Sequence, residues 1–346
     1  MQSNQKLVLK EILHARVLSE EIHGLLKGYK DDNKDKIKLS GNKSDIIENL
    51  VDAVELKIVP LEKVHEIIRD AEEYGDQYIF LYETLPKTTN TDYSNGTAIA
   101  KKVIPNGEMS KFPKLMMIPS SVEWVDFRSP NRGLKDSWMM KLYDRKTREV
   151  KQDEDVKYSE GLRIVTYKTK EFRLIYIVEW TGKNLLEFKI GRTTFDSNRS
   201  LSDSLKKLRT LVGKGINVQK DFKKYDLSQT IANIIDKSED NKKIYNLLAT
   251  NLQDSQGGTA QIRTYGEDST DLLEDDSRKA AVDAYVSKKG KATGVSISFL
   301  ESGSEGVLSK DIIVTLGKDD INQIIISANV TPQEYNYVRR KIKSLG

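Results

Sequence analysis

Gly41 and Lys43 stand directly before a stretch with helical rhythm, and this placement is the first chemistry the chain offers. The run Leu39-Ser40-Gly41-Asn42-Lys43-Ser44 closes a lysine-rich loop that also carries Lys36 and Lys38. Asp45 to Val54 then follows with apolar residues at Ile46, Ile47, Leu50, Val51 and Val54, the 3.6-residue spacing of a helix with one buried face. The start of a helix exposes backbone N–H groups and the positive end of the macrodipole. A glycine allows close approach and a lysine adds charge, which together make a seat for phosphate. Asn42 and Ser44 are the candidate N-caps. Lys36, Lys38 and Lys43 would then hold one strand of a duplex by its phosphates.

A second constellation is Glu187-Phe188-Lys189 in a strand-patterned run, with Glu179 and Glu160 upstream. Two carboxylates can hold Mg²⁺ while a lysine helps activate water. The spacing is similar to that of metal-dependent nucleases of the restriction-endonuclease type, though the aspartate those carry farther upstream is missing. Alternating charges on one face of a hairpin strand account for the same residues. Gly213-Lys214-Gly215 lacks the Walker A spacing. The acidic run Asp271 to Asp276 lacks that of a calcium loop. No cofactor is expected outside the nuclease alternative, which alone needs Mg²⁺.

Composition narrows the classes. The 346 residues suffice for two or three domains, and 38% apolar residues supply real cores. No run approaches the roughly 20 apolar residues of a membrane span. The polar start Met1 to Gln5 is not that of a secretory leader, so a cytoplasmic location is expected. With no cysteine, thiolate zinc sites and thiol nucleophiles are excluded. The histidines, His14, His23 and His65, all precede the middle of the chain, which removes the usual histidine-based triads from everything downstream.

Net charge is only +4, but it is segregated. One basic stretch runs through Arg128, Arg132, Lys135, Lys141, Arg145, Lys146 and Arg148. A second holds Arg199, Lys206, Lys207, Arg209, Lys214, Lys220, Lys223 and Lys224. The terminus adds Arg339, Arg340, Lys341 and Lys343, while the acidic counterweight gathers between Glu267 and Asp276.

These side chains must be positioned by an α+β chain. Residues 1–85 read as a four-helix domain, with Tyr78 to Tyr82 either a strand or the end of the bundle. Residues 86–110, rich in Pro, Thr, Asn, Ser and Gly, read as a linker or long loop. Residues 111–255 form a mixed domain. Its strand runs Leu162–Tyr167, Phe172–Trp180 and Leu185–Ile190 predict an antiparallel β meander, and helices follow it. Residues 256–346 make a C-terminal α/β portion ending in a helix opened by Thr331-Pro332-Gln333-Glu334.

Leu18, Ile22, Leu25 and Leu26, the lysine-rich loop and Leu39 to Leu50 together resemble a SAP motif, the helix–loop–helix of many chromatin and DNA-repair proteins. The loop from Tyr29 to Lys38 is longer and more charged than that pattern. The resemblance implies that Gly41, Lys43 and the start of the following helix face a DNA backbone. The overall layout, a helical domain, a polar connection and a charged meander with Trp180, is similar to the centromere protein N family. That resemblance implies a basic groove in which Arg132–Arg148 and Lys206–Lys224 stand opposite Lys43.

The expected function is non-enzymatic, largely sequence-tolerant binding of double-stranded DNA, in chromosome maintenance or prokaryotic antiphage defence. The contacts would be Lys36, Lys38, Ser40, Gly41, Asn42, Lys43, Ser44, Arg132, Lys135, Lys206, Lys207, Arg209, Lys214, Lys220, Lys223 and Lys224. Few aromatic residues accompany these cations, which favours duplex over single strands. The alternatives are an Mg²⁺-dependent nuclease using Glu179, Glu187 and Lys189, and a protein–protein adaptor. A protein partner is compatible with each, and a membrane with none.

Overall fold

Four helices open the chain: α1 (Ser3–Arg16), α2 (Ser19–Lys30), α3 (Lys43–Glu55) and α4 (Leu61–Glu73). Their apolar stripes close on a core that includes Leu9, Leu13, Ile22, Leu26, Leu50, Val64 and Ile68. The start of α3 is fixed by Asn42, whose carboxamide accepts from the N–H groups of Ser44 at 2.8 Å and Asp45 at 3.2 Å. The Asn42 N–H donates to the Asp45 carboxylate at 2.9 Å, completing a reciprocal cap. Gly41 sits at φ +128°, and a Cβ there would lie 2.6 Å from the Asp45 Cβ. Only glycine fits between the loop and this cap.

The computed structural model describes residues 3–88, 93–151, 157–159, 162–192, 198–264, 270–288 and 290–346. After α4 it is dominated by an antiparallel sheet. In chain order the strands are β1 (Gln77–Thr84), β2 (Glu123–Arg128), β3 (Trp138–Lys151), β4 (Lys157–Ser159), β5 (Leu162–Ile164), β6 (Tyr167–Trp180), β7 (Leu185–Gly191), β8 (Phe222–Lys224), β9 (Tyr245–Gln253), β10 (Thr259–Arg263), β11 (Lys291–Phe299), β12 (Ile312–Leu316) and β13 (Gln323–Ile326). Eleven of them form one sheet in the order β10-β9-β11-β12-β13-β1-β7-β6-β3-β2, with β8 also paired to β1.

The apolar run Tyr78 to Tyr82 is therefore a strand, and a central one. β1 pairs with β7 along one edge, and with β13 and then β8 along the other. Although β1 falls inside the 1–85 stretch, its hydrogen bonds join the two halves of the sheet. The meander is present as β2-β3-β6-β7, but of the run Leu162–Tyr167 only Tyr167, the first residue of β6, belongs to it. Among the described residues Leu162–Ile164 pairs only with Lys157–Ser159. The place beside β6 is taken by β3, in unbroken register from Trp138↔Trp180 to Lys151↔Tyr167. The charged segment before Phe172, which reads as a turn, is strand because β3 supplies its backbone partners.

Strand alternation gives the sheet two unlike faces. One carries Phe80, Tyr82, Met140, Leu142, Val178, Trp180, Leu186 and Phe188, covered by the helices Gly96–Val103 and Asn198–Val212 through Ile99, Leu201, Leu205, Leu208 and Val212. The other carries Lys141, Tyr143, Ile177, Glu179, Glu187 and Lys189. α4 meets it through Glu72 and Glu73, and the C-terminal helix Pro332–Ser344 through Tyr335 and Arg339. Among the described residues no helix is long and apolar enough to cross a membrane.

Candidate nucleic-acid interface

The lysine loop and the basic helix lie on opposite sides of the sheet. The bundle docks on the Lys141 face, where Glu72 bonds Arg173 at 2.6 Å, Lys141 at 3.2 Å and the Tyr143 hydroxyl at 2.7 Å. Arg16 adds a bond to the Arg173 carbonyl at 3.1 Å. Lys206, Lys207 and Arg209 belong to the helix on the other face. Lys43 and the second basic stretch are thus separated by a layer of strands.

Within the loop, Lys36, Lys38, Ser40, Gly41, Asn42 and Ser44 are exposed. Lys43 is half-buried and donates to the His14 carbonyl at 2.8 Å. Burial lowers its pKa, partly offset by Glu20 and Glu21. The amides of Ser44 and Asp45, which a phosphate would use, already donate to Asn42, and the Asp45 carboxylate occupies the same helix end. The loop keeps its lysines, but its helix start is already capped by the chain itself.

Arg132 also faces the bundle. It bonds Asp70 at 2.6 Å and Glu73 at 3.0 Å, and its guanidinium lies 4.7 Å from the centre of the Tyr74 ring. Burial opposes its charge, yet Glu73, Tyr74 and Asp70 hold its pKa above the ordinary value. Arg128 pairs with Glu73 and Asp126, and buried Lys141 with both Glu72 and Glu73. This part of the first basic stretch neutralises the carboxylates of α4. Lys135, in the exposed turn before β3, stands apart from them.

The rest of that stretch does meet the second. Beyond the core, β3 from Arg145 and β6 up to Arg173 project as a two-stranded arm. At its root Lys207 bonds Asp144 at 2.5 Å. Here an open cleft of about 370 Å³ is lined by Arg145, Lys146, Tyr176, Ser200, Ser204 and Lys207, together with Asp144 and Asp203. Lys206 and Lys214 are exposed. Arg209 turns inward to the Tyr82 hydroxyl and ring. Lys220 is exposed, whereas Lys223 pairs with Glu83 at 2.9 Å and Lys224 with Asp320 at 2.5 Å.

Glu179, Glu187 and Lys189 come together as the nuclease alternative requires, but as a closed ion cluster. Glu187 and Lys189 are buried, and the ammonium lies 2.6 Å from Glu179 and 3.6 Å from Glu187. Arg339 pairs with Glu187, and the Lys189 ammonium stands 4.9 Å from the Tyr335 ring centre. Burial opposes the charge on Lys189, but Glu179 and its neighbours raise its pKa well above the ordinary lysine value. Burial likewise opposes the Glu179 charge, and Lys189 holds that carboxyl below its usual range. The cation occupies the space between the carboxylates that Mg²⁺ would need. Among the described residues no group of three or more acidic or histidine side chains is arranged to hold a metal ion. Glu160 lies outside the described residues.

Sequence reasoning missed two sets of residues. Glu72 and Glu73 read as ordinary polar positions of α4, and nothing local reveals that they are buried against strands more than fifty residues away. Lys168 and Lys170, on the arm, did leave a signal: Lys168-Thr169-Lys170 alternates at period two, the mark of a strand with one cationic face. No protein-family model matches this chain, and no curated protein matches it.

Proposed function

We propose that this protein binds double-stranded DNA non-enzymatically and with little sequence preference, using the side of the molecule that carries the Asn198–Val212 helix and the root of the arm. The observation behind this reading is the meeting of two distant basic stretches, with Arg145 and Lys146 of β3 lining one cleft with Lys207. Lys206, next to Lys207 in the chain, and Lys214 are also exposed. Such a surface holds phosphates by charge and reads no bases, so affinity falls steeply with salt. The loop at Lys43, on the other side of the sheet, is assigned no primary role.

A gel-shift salt series on a mixed-sequence duplex, with and without Mg²⁺, tests the reading. Wild type should bind with a steep salt slope and leave the duplex intact. Lys206→Ser/Lys207→Ser should lower the slope by about 1.8, at roughly 0.9 for each phosphate no longer neutralised. An affinity insensitive to salt would defeat the reading in favour of an adaptor. Mg²⁺-dependent cleavage would defeat it in favour of a nuclease.

A further inference from the structure

The seam between the helical bundle and the sheet encloses a small cavity of about 20 Å³, bounded by α4, β2 and β3. Ile68, Leu115 and Val125 give it an apolar wall. Arg69 of α4 and Asp126 of β2 both line it, beside Glu72.

Most polar groups around this cavity are already satisfied. The Tyr143 hydroxyl donates to Glu72 at 2.7 Å, and the Lys141 ammonium lies 3.2 Å from Glu72 and 3.1 Å from Glu73. Asp126 is the exception. It is only 4% exposed, and among the described residues its Oδ2 has no hydrogen-bond partner. The buried Nε atoms of Arg69 and Arg128 stand 3.5 and 3.3 Å from that oxygen, and they too have no hydrogen-bond partner among the described residues. The three groups attract one another by charge, yet neither N–H donates to the carboxylate. Buried polar atoms in stable proteins find partners, and leaving one unpaired is costly.

We infer that the cavity is a binding site for one buried water molecule, which donates to Asp126 Oδ2 and accepts from Arg69 Nε. A single water needs roughly 10–15 Å³ of such space, so about 20 Å³ takes one water and no larger ligand. Chemistry decides among occupants of this size. A metal cation would have to share the Asp126 oxygen with two guanidinium groups. A halide only accepts, and so leaves that oxygen unpaired. A molecule that both accepts and donates satisfies the guanidinium and the carboxylate together. The water thus joins α4 to β2 beside the Glu72 cluster.

The test is a crystal structure of the full chain at a resolution that orders buried water, repeated after a bromide soak. A water peak should lie about 2.7–3.2 Å from both Asp126 Oδ2 and Arg69 Nε, with no anomalous bromide signal there. Bromide in the cavity overturns the inference. So does a cavity without density, or one closed by direct donation from Arg69 or Arg128 to Asp126. Urea denaturation of Val125→Ile gives an independent readout in solution, because the added methylene fills the cavity from its apolar wall. It should lower the folding constant on the order of tenfold, as Arg69 and Asp126 lose their shared partner. A constant equal to or above that of wild type means that the cavity is dry, and the inference falls.

Discussion

Arg173 donates to Glu72 at 2.6 Å, joining the root of the arm to the last turn of α4 across 101 positions of sequence. Both side chains are buried. The same guanidinium bonds the Met116 carbonyl at 2.7 Å and lies 4.4 Å from the centre of the Tyr143 ring. The helical bundle is therefore held to the sheet by a buried ionic cluster, with its own apolar core kept separate from the sheet's. Such a cluster does not have to add net stability, but its members depend strongly on one another.

Glu72→Ala should consequently be costly. It leaves Arg173 and Lys141 buried beside each other with Glu73 as the nearest remaining counter-charge. Removing one partner of a buried ionic cluster typically costs about 3–5 kcal/mol. Urea denaturation of the variant should show a loss of that size, and a loss below about 1 kcal/mol would mean the cluster is not closed in solution.

Acid should act on the same cluster. Burial works to raise the Glu72 and Glu73 carboxyls, but Arg173 and Lys141 hold Glu72 below its usual range. Lys141, Arg128 and Arg132 hold Glu73 far below it. A carboxyl with a depressed folded-state pKa stabilises the fold fully above its unfolded pKa of about 4.3 and loses that contribution as pH falls toward the folded value. Stability should be level from pH 7 to about 5 and decline below about 4.3, and Glu72→Gln should flatten the decline. Urea titrations at stepped pH would check this. A decline centred near pH 6 would point to histidine instead.

Much of this molecule is legible in its sequence where the determinants are local. The α3 start follows from Asn42 and Asp45, and the final helix from Thr331 and Glu334, whose side chains and N–H groups cap each other at 3.2 and 2.7 Å. The β6–β7 hairpin follows from alternating apolar residues around Gly182. What the sequence hides is set by pairing at long range. Lys168 to Glu171 looks like a turn until β3 is placed beside it. Arg128, Arg132 and Lys141 look like surface cations until Glu72 and Glu73 arrive from α4. Charge runs report composition along the chain, whereas an interface depends on which face of which strand each charge occupies.

The Glu187–Lys189 cluster separates a structural role from a catalytic one. Lys189→Met removes the cation between Glu179 and Glu187 and leaves two carboxylates in a buried site, with Arg339 to balance them. A destabilisation of about 3–5 kcal/mol is expected in chemical denaturation. Supercoiled plasmid incubated with wild type and Mg²⁺ should remain uncut. Nicking by wild type that disappears in a folded Lys189→Met protein would assign the cluster to catalysis.

Lys43 offers the sharpest contrast between a motif and its setting. Its ammonium is tied to the His14 carbonyl, and the amides at the start of α3 donate to Asn42. A phosphate arriving there would have to displace Asn42 and sit beside the Asp45 carboxylate. Lys43→Glu should therefore change duplex affinity by less than about threefold, against the roughly 30-fold expected when two phosphate-binding cations on the other side of the sheet are removed. Fluorescence anisotropy on one labelled duplex at 0.15 M salt compares the variants directly. Should Lys43→Glu prove the more damaging change, the binding surface belongs to the helical bundle, and the root of the arm and the basic helix lose their assignment.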